Sequence, residues 1–353
     1  MKLVMTLLTR DEADVLDAHL AFHLNAGVDF VVATDNRSED GTAEILESYA
    51  RDRYLHLLRE ASDDFDQSAW VTRMARLAAA EFGADWIIHS DADEFWWPRG
   101  EDLKEVLAAT PPRYGVLRAP IRHFFLTAGD RGHFSERMIV RARLSAPVNE
   151  PENPLRPNTH ILHRADSTAV VTAGNHALLG STHQVLADWH PIEVLHFPLR
   201  SLEQARRKYE NWVRVRAGRE YPDAFEASGQ GALDAFVQAK VLGDAVLRRG
   251  LAEGSLVEDT RLRDALRTLA RTEFVSKTGP ETFARPTNGK TRLSFPRPTA
   301  AEDAAYAAEV AVLAEADAVR LERRLDAVEA RVASLEAGFA PRARRALSQA
   351  RRS

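Results

Sequence analysis

The sequence predicts an α/β protein, a mostly parallel sheet flanked by helices, and three observations predict it. Over roughly the first 120 residues, short β-branched apolar runs alternate with longer amphipathic stretches. The connections between them are short, as in a parallel sheet with helices on both faces. Polar and acidic clusters directly follow the apolar runs, at the strand carboxyl ends where such sheets bind ligands.

Each element has its own justification. Lys2–Leu8 is a short apolar run and reads as a buried strand. Asp11–Ala26 carries Val15, Leu16, Leu20, Phe22 and Leu24 among polar residues and suits a helix lying on the sheet. Asp29–Thr34 is β-branched and apolar, hence strand. Gly41–Ala50 reads as helix, Tyr54–Leu58 as strand, Asp66–Phe82 as a longer helix, Asp85–Ser90 as strand, Glu101–Ala108 as helix and Gly115–Ala119 as strand. From 121 to 200 the chain is rich in Pro, His and Asn, which suits loops and short strands completing the sheet. Residues 201–275 look mainly helical, and 276–299, with its prolines and glycines, reads as a linker or exposed loop.

From 300 to 353 Ala, Arg, Glu and Leu dominate. Leu321, Leu325, Val328, Val332 and Leu335 step by 4-3-4-3, a heptad seam that suits a helical, coiled-coil-like tail and a homo-oligomer formed through it. After Gly338 the tail holds five arginines and no acid. Such a basic end offers peripheral contact with an anionic membrane surface, each charge being worth about 1 kcal/mol there.

Composition removes whole classes of function. The 353 residues contain no cysteine, which excludes a disulfide scaffold, a thiol nucleophile and every Cys-ligated metal site. With 47 Lys+Arg against 52 Asp+Glu the net charge is -5, against the basic excess of a nucleic-acid binder. Only six of those cations are lysine, a bias that reads as genomic before it reads as functional. No apolar run reaches the ~18 residues of a membrane span, and Leu3–Leu8 is too short for a signal peptide, so a cytoplasmic protein is expected.

The chemistry gathers at three places. Ile87-Ile88-His89-Ser90-Asp91-Ala92-Asp93-Glu94 is a hydrophobic strand ending in two carboxylates one residue apart. Their mutual repulsion asks for a cation, and hard oxygens near a phosphate suit Mg²⁺ or Mn²⁺. Thr9-Arg10-Asp11-Glu12 follows the first strand and Asp35-Asn36-Arg37-Ser38-Glu39-Asp40-Gly41-Thr42 the second. At the latter, Asp or Asn can accept bonds from a base or ribose, while Asp40 or Thr42 caps the next helix. The same loop partly matches an EF-hand, but a strand rather than a helix precedes it.

Strand ends bearing Thr-Arg-x-Glu, Asp-Asn-x-Ser-x-Asp-Gly-Thr and Asp-x-Asp, in this order, resemble the family 2 glycosyltransferases of GT-A fold. The likeness is closest to the bacterial branch with "RDEADVLDAHLAFHLNAGVDF" and "DNRSEDGT", and it extends through "AGNHALLG" and "VLHFPLRSLEQARRKYENW". It implies a GT-A domain over 1–215, completed by a helical part over 216–275. It also implies a nucleotide-diphosphate sugar donor, a divalent metal (Mn²⁺ or Mg²⁺), and a glycan, lipid-linked or other hydroxyl acceptor, as in polysaccharide biosynthesis. By position, Thr9, Arg10, Glu12, Asp35, Asn36 and Asp91 would hold the nucleotide, and Asp93, Asp91 and His196 the metal. Arg200 or Lys208 would meet the diphosphate, and His176 the acceptor. An inverting reaction needs a carboxylate base, and the family spacing points to Asp188, with Glu193 second. The competing readings are a non-catalytic nucleotide-sugar-binding protein and a nucleotidyltransferase. The latter would want a Gly-rich loop after the first strand, and "LLTRDEADV" has none.

Overall fold

The computed structural model describes residues 1–62, 66–100, 102–127, 132–144, 156–216, 237, 241–270, 283–286 and 293–350. Its strands are β1 (Leu3–Thr9), β2 (Phe30–Asp35), β3 (Leu55–Arg59), β4 (Trp86–Asp91), β5 (Glu94–Pro98), β6 (Tyr114–Thr127), β7 (Val140–Ala142) and β8 (Thr159–Arg164). They continue as β9 (Val170–Val171), β10 (Leu178–Leu179), β11 (Gln184–Leu186), β12 (Ile192–His196), β13 (Val241–Leu242) and β14 (Leu256–Glu258). The helices are α1 (Ala13–Asn25), α2 (Thr42–Arg51), α3 (Gln67–Ala80), α4 (Leu103–Ala108), α5 (Phe134–Arg137) and α6 (Leu202–Arg216). Further on come α7 (Asp244–Glu253), α8 (Arg261–Leu269), α9 (Ala300–Val310) and α10 (Val312–Ala350).

Two compact units share these elements, residues 1–143 with 158–304, and residues 144–157 with 305–353. In the first, the main sheet runs β14-β7-β6-β8-β4-β1-β2-β3. The segment β3-β2-β1-β4 is parallel throughout, because each strand is followed by a helical crossover. All seven residues of β1 are buried, as expected of a central strand covered on both faces. One face packs on α1, where Val15, Leu16, Leu20 and Phe22 are buried; the other packs on α3 through Trp70, Val71 and Met74. The expected fold class, a mostly parallel sheet flanked by helices with a helical C-terminal extension, is the one observed.

The strand order reverses at β1, since β2 and β3 lie on one side of it and β4 on the other. The crevice between the carboxyl ends of β1 and β4 is therefore the switch point where open α/β sheets bind ligands. Beyond β4 the sheet is mixed. β8 runs antiparallel to both β4 and β6, and β12 lies parallel to β6 and antiparallel to β5. β5, which alternation alone does not reveal, turns the chain directly after the acidic pair and sets His196 beside Glu94 in register.

The segment read as a linker or exposed loop is anchored by buried residues, although Ser294, Pro296, Arg297 and Thr299 are exposed. Phe283 and Phe295 are buried, Phe295 standing edge-on to Trp97 and Phe22. The Phe283 amide donates to Asp17 Oδ2 at 2.9 Å. Two aromatic rings outweigh the Pro and Gly that made the segment look like a linker, and its remainder, like most of 217–240, lies outside the described residues. In the second unit, Leu144, Val310 and Leu313 bury a small core. Leu144 N donates to Glu309 Oε1 at 3.0 Å, and Arg320 Nη1 to the Pro157 carbonyl at 3.0 Å. Among the described residues, no helix is long and apolar enough to cross a membrane.

Candidate active site

The loops after β1 and β2 hold each other. Asp40 Oδ2 accepts from Ala13 N at 3.1 Å, at the start of α1, while its Oδ1 accepts from Thr42 N and Thr42 Oγ1 at the start of α2. Thr42 Oγ1 accepts from Glu12 N at 2.9 Å, and Ser38 Oγ from Asp11 N at 3.0 Å. Asp11 sits at φ 55°, a left-handed conformation costly for a side-chain-bearing residue. Its carboxylate answers by accepting from Glu39 N and from Asn211 Nδ2 of α6.

The residues expected to hold a nucleoside have different surroundings in the fold. Asn36 is saturated, its amide donating to the carbonyls of Glu60 and Ser62 and its oxygen accepting from Arg10 Nη1 at 3.2 Å. Thr9 Oγ1 donates to the Thr34 carbonyl. Asp35 is buried, with Oδ2 3.8 Å from Arg59 Nη1, and among the described residues its Oδ1 and the Nε of Arg10 have no hydrogen-bond partner. Buried polar atoms left this way are expensive unless a ligand satisfies them.

The acidic turn between β4 and β5 is the centre of the site. Asp91 N donates to Glu94 Oε2 at 3.1 Å, so the two carboxyl groups are neighbours. Burial, then the charges of Glu94 and Asp93, push the Asp91 carboxyl up to about 8. Glu94 is held below its usual range despite burial, because His160 Nε2 lies 2.6 Å from its Oε1. His160 is raised in turn, since Glu94 outweighs its burial. Asp93 is also buried, yet it is driven well down by Lys208, then His196 and Arg200. Lys208 Nζ stands 2.6 Å from Asp93 Oδ2, His196 Nε2 3.7 Å from Oδ1, and Arg200 Nη1 3.8 Å from Oδ2.

Both cations come from the segment after β12. Arg200 is 1% exposed and fully committed: Nε and Nη2 grip Asp14 at 2.8 Å each, Nη2 also donates to Glu12, and Nη1 donates to the Phe197 carbonyl. Glu12, between Arg200 and Lys208, is nonetheless raised to about 7, because burial and the nearby Asp93 and Asp14 outweigh the two cations. Lys208 is a quarter exposed and sits on a flexible stem, so it is the cation able to turn toward a ligand.

Glu193 is not brought to this cluster. It alternates to the opposite face of β12 from His196. There Arg122 (2.6 Å), Arg261 (2.7 Å) and Arg99 (3.8 Å) surround it, and against its burial the charges of Arg261, Arg122 and Arg141 hold it well below the carboxylate range. Asp188 is exposed, on the connection between β11 and β12. His176, also exposed, stacks on His160 at 5.1 Å. The "AGNH" stretch reaches the acids through Gln67, which accepts from Gly174 N at 2.9 Å and donates to Asp91 at 3.4 Å. Glu94, His160, Asp14 and Gln67 were not singled out from the sequence. Glu94 adjoins the acidic pair and could have been, whereas the other three meet the site only through folding.

The donor chemistry of Asp91, Asp93, Glu94 and His196, oxygens with one imidazole, fits a hard divalent cation. Among the described residues, no three His, Asp or Glu side chains converge on one point, and Lys208 holds the Asp93 oxygen that a metal would use.

No family model matches the chain, and no curated protein matches it. Solved structures do. S. aureus TarS 1-349 in complex with UDP-GlcNAc is 13% identical, with 71% of this chain and 73% of that one covered at a TM-score of 0.33. Mannosyltransferase PcManGT from Pyrobaculum calidifontis, in complex with GDP-Man and Mn²⁺, is 16% identical over 76% of this chain and 79% of that one, TM-score 0.32. Glucosyl-3-phosphoglycerate synthase from Mycobacterium tuberculosis, with Mn²⁺, UDP and its product, is 13% identical over 63% and 81%, TM-score 0.30.

Proposed function

We propose that this chain is a glycosyltransferase that moves a sugar from a nucleotide-diphosphate donor to a hydroxyl acceptor. One observation carries the reading: at the switch point of a parallel sheet, a buried acidic turn faces a turnable lysine, beside a wall with unsatisfied polar atoms. The wall would take the nucleoside, with Asp35 Oδ1 accepting from a ribose hydroxyl or base N–H and Arg10 Nε donating. Asn36, already saturated, braces that wall. Lys208 would swing from Asp93 to the donor's diphosphate, while Arg200 keeps Glu12 and Asp14 in place and is not itself free to bind.

Asp91, Asp93 and His196 would hold a divalent cation, which supplies positive charge for the departing diphosphate. With Glu193 committed to arginines, Asp188 is the base that would take the acceptor's proton and give inversion. His176 would lie on the acceptor side.

A thermal-shift screen of nucleoside diphosphates with Mn²⁺ or Mg²⁺ tests the donor site, since a ligand bound to the folded state raises the melting temperature. One base is expected to stand out, and Asp93→Asn to abolish its metal-dependent shift and the transfer. A protein indifferent to every nucleoside diphosphate, or an Asp93→Asn enzyme with full turnover, would refute the assignment. Donor binding without hydrolysis or transfer to any acceptor would favour the non-catalytic binding protein. Asp188→Asn should keep donor binding and lose turnover, and normal turnover would move the base elsewhere.

A further inference from the structure

The long helix α10 has two apolar faces, and its own unit covers one of them. Leu313 and Ala316 are buried, Leu313 against Leu144 and Val310. The other face begins at the exposed Ala314 and Ala318 and continues through Leu321 (68% exposed), Leu325 (57%), Val328 (58%) and Val332 (47%). In sequence the same spacing reaches Leu335, so the stripe steps 4-3-4-3-4-3 over about three heptads. Large aliphatic side chains so exposed, in a row one seam wide, have the pattern of an unpaired coiled-coil strand.

The flanking charges select the partner. With Ala318, Leu325 and Val332 as a positions and Leu321 and Val328 as d, the g positions are Asp317, Arg324 and Arg331, and the e positions Glu322, Glu329 and Glu336. In a parallel, in-register pair each g residue faces the e residue of the next heptad on the other strand. Arg324 then meets Glu329, in both directions. Asp317 against Glu322 is the like-charged exception, and Asp317 already has an ion pair with Arg320 of its own helix. An antiparallel pair would instead set arginine against arginine and glutamate against glutamate.

We infer that the stripe Ala314–Val332 is an interface with a second copy of this chain, forming a parallel, in-register two-stranded coiled coil. Alanine at two of its core positions and a length of about three heptads make the dimer a reversible one. Because the stripe is far in sequence from the proposed catalytic residues, substitutions in it should leave donor binding unchanged.

Sedimentation of the full chain should show a concentration-dependent rise from 39.3 kDa toward twice that mass. Leu325→Asp, on an exposed position, should leave the circular dichroism of the sheet intact and abolish the rise. Arg324→Glu should weaken association at least tenfold, and Arg324→Glu with Glu329→Arg should restore it. The absence of native cysteine makes the orientation readable: Leu321→Cys should cross-link to itself on oxidation, because parallel strands put the two positions side by side. A chain monomeric at every concentration, a dimer unmoved by Leu325→Asp, or a trimer would overturn the inference. So would a dimer in which Val328→Cys cross-links and Leu321→Cys does not, since antiparallel strands centred on 328 hold the two 321 positions about 20 Å apart.

Discussion

Arg200 lies just before α6 and Lys208 within it, and both face Asp93, yet the residue scale gives them different work. A guanidinium has five N–H donors in a fixed fork, and those of Arg200 serve Asp14, Glu12 and the Phe197 carbonyl, with Asp93 as an ion-pair neighbour at 3.8 Å. Arg200→Met would take both Arg200 hydrogen bonds from Asp14 and leave Glu12 to Lys208 alone, beside buried Asp93, and breaking a buried pair this way costs about 3–5 kcal/mol. Its melting temperature should fall steeply whether or not donor is present. Lys208→Met should behave in the opposite sense: a small change in stability, and a loss of turnover on the order of 10²–10³-fold if the ammonium stabilises the leaving diphosphate. Unfolding curves beside kinetics for the two variants decide it, and equal destabilisation would make Lys208 a structural partner as well. Sequence could place both residues near a phosphate. It could not say that Arg200 is already taken, because Asp14 lies 186 residues away and meets it only in the fold.

At the scale of elements, the informative feature is the pair of loops that cap one another. From sequence, Asp40 reads as a cap for the following helix, and it does accept the first amide of α2 at 3.1 Å. That Asp40 and Thr42 also satisfy the start of α1 was not legible, because a cap from another loop leaves no spacing to read. The acidic turn, by contrast, was legible as a strand ending in two carboxylates, whereas its partner His160 sits on an antiparallel strand that local periodicity does not order. Asp40→Ala removes acceptors from two helix starts at once, so it should cost about 2 kcal/mol, the upper end for a cap. Asp40→Asn, which keeps one acceptor oxygen, should lose less. Urea midpoints for the two variants would measure this, and an Asp40→Ala midpoint equal to wild type would mean that water replaces the carboxylate at both ends.

At the scale of the whole molecule, stability on the acid side is set by histidines that the fold buries in their neutral form. Twelve histidines are visible in the sequence, but which of them have room for a second proton is decided only by packing. His23 has none: its Nδ1 lies 2.8 Å from the His19 carbonyl and must donate, so its Nε2 accepts from Trp96 N at 3.1 Å. Across the sheet, His163 Nδ1 donates to the Arg164 carbonyl, leaving Nε2 to accept from His89 Nε2 at 3.0 Å, while His89 Nδ1 accepts from Thr6 Oγ1 at 2.8 Å. Each ring nitrogen thus has one role, and an extra proton would break a bond in the core. Burial accordingly lowers His23 and His163 to about 4, and His19 and His89 are lowered for the same first reason. In the unfolded chain these imidazoles return to about 6.5, so between the two values the unfolded state binds more protons. Stability is then complete above about pH 6.5 and falls as the pH drops toward 4, by at most roughly 3 kcal/mol for each of His23 and His163. The Glu94–His160 pair changes sign: His160 is raised, so its share is full at acid pH and is lost as the pH climbs through its folded value. With His160 raised and five histidines lowered, His133 being the fifth, the acid-side loss should dominate. Urea midpoints taken from pH 8 to pH 4 should decline from about 6.5 downward, less steeply than the histidines alone dictate, because the raised Asp91 and Glu12 carboxyls take up protons in the folded state over the same range. In His23→Gln, whose amide can still donate to the His19 carbonyl but cannot take up a proton, the decline should be shallower. A midpoint flat from pH 7 to pH 5 would mean that these rings can rearrange to accept the proton within the native fold.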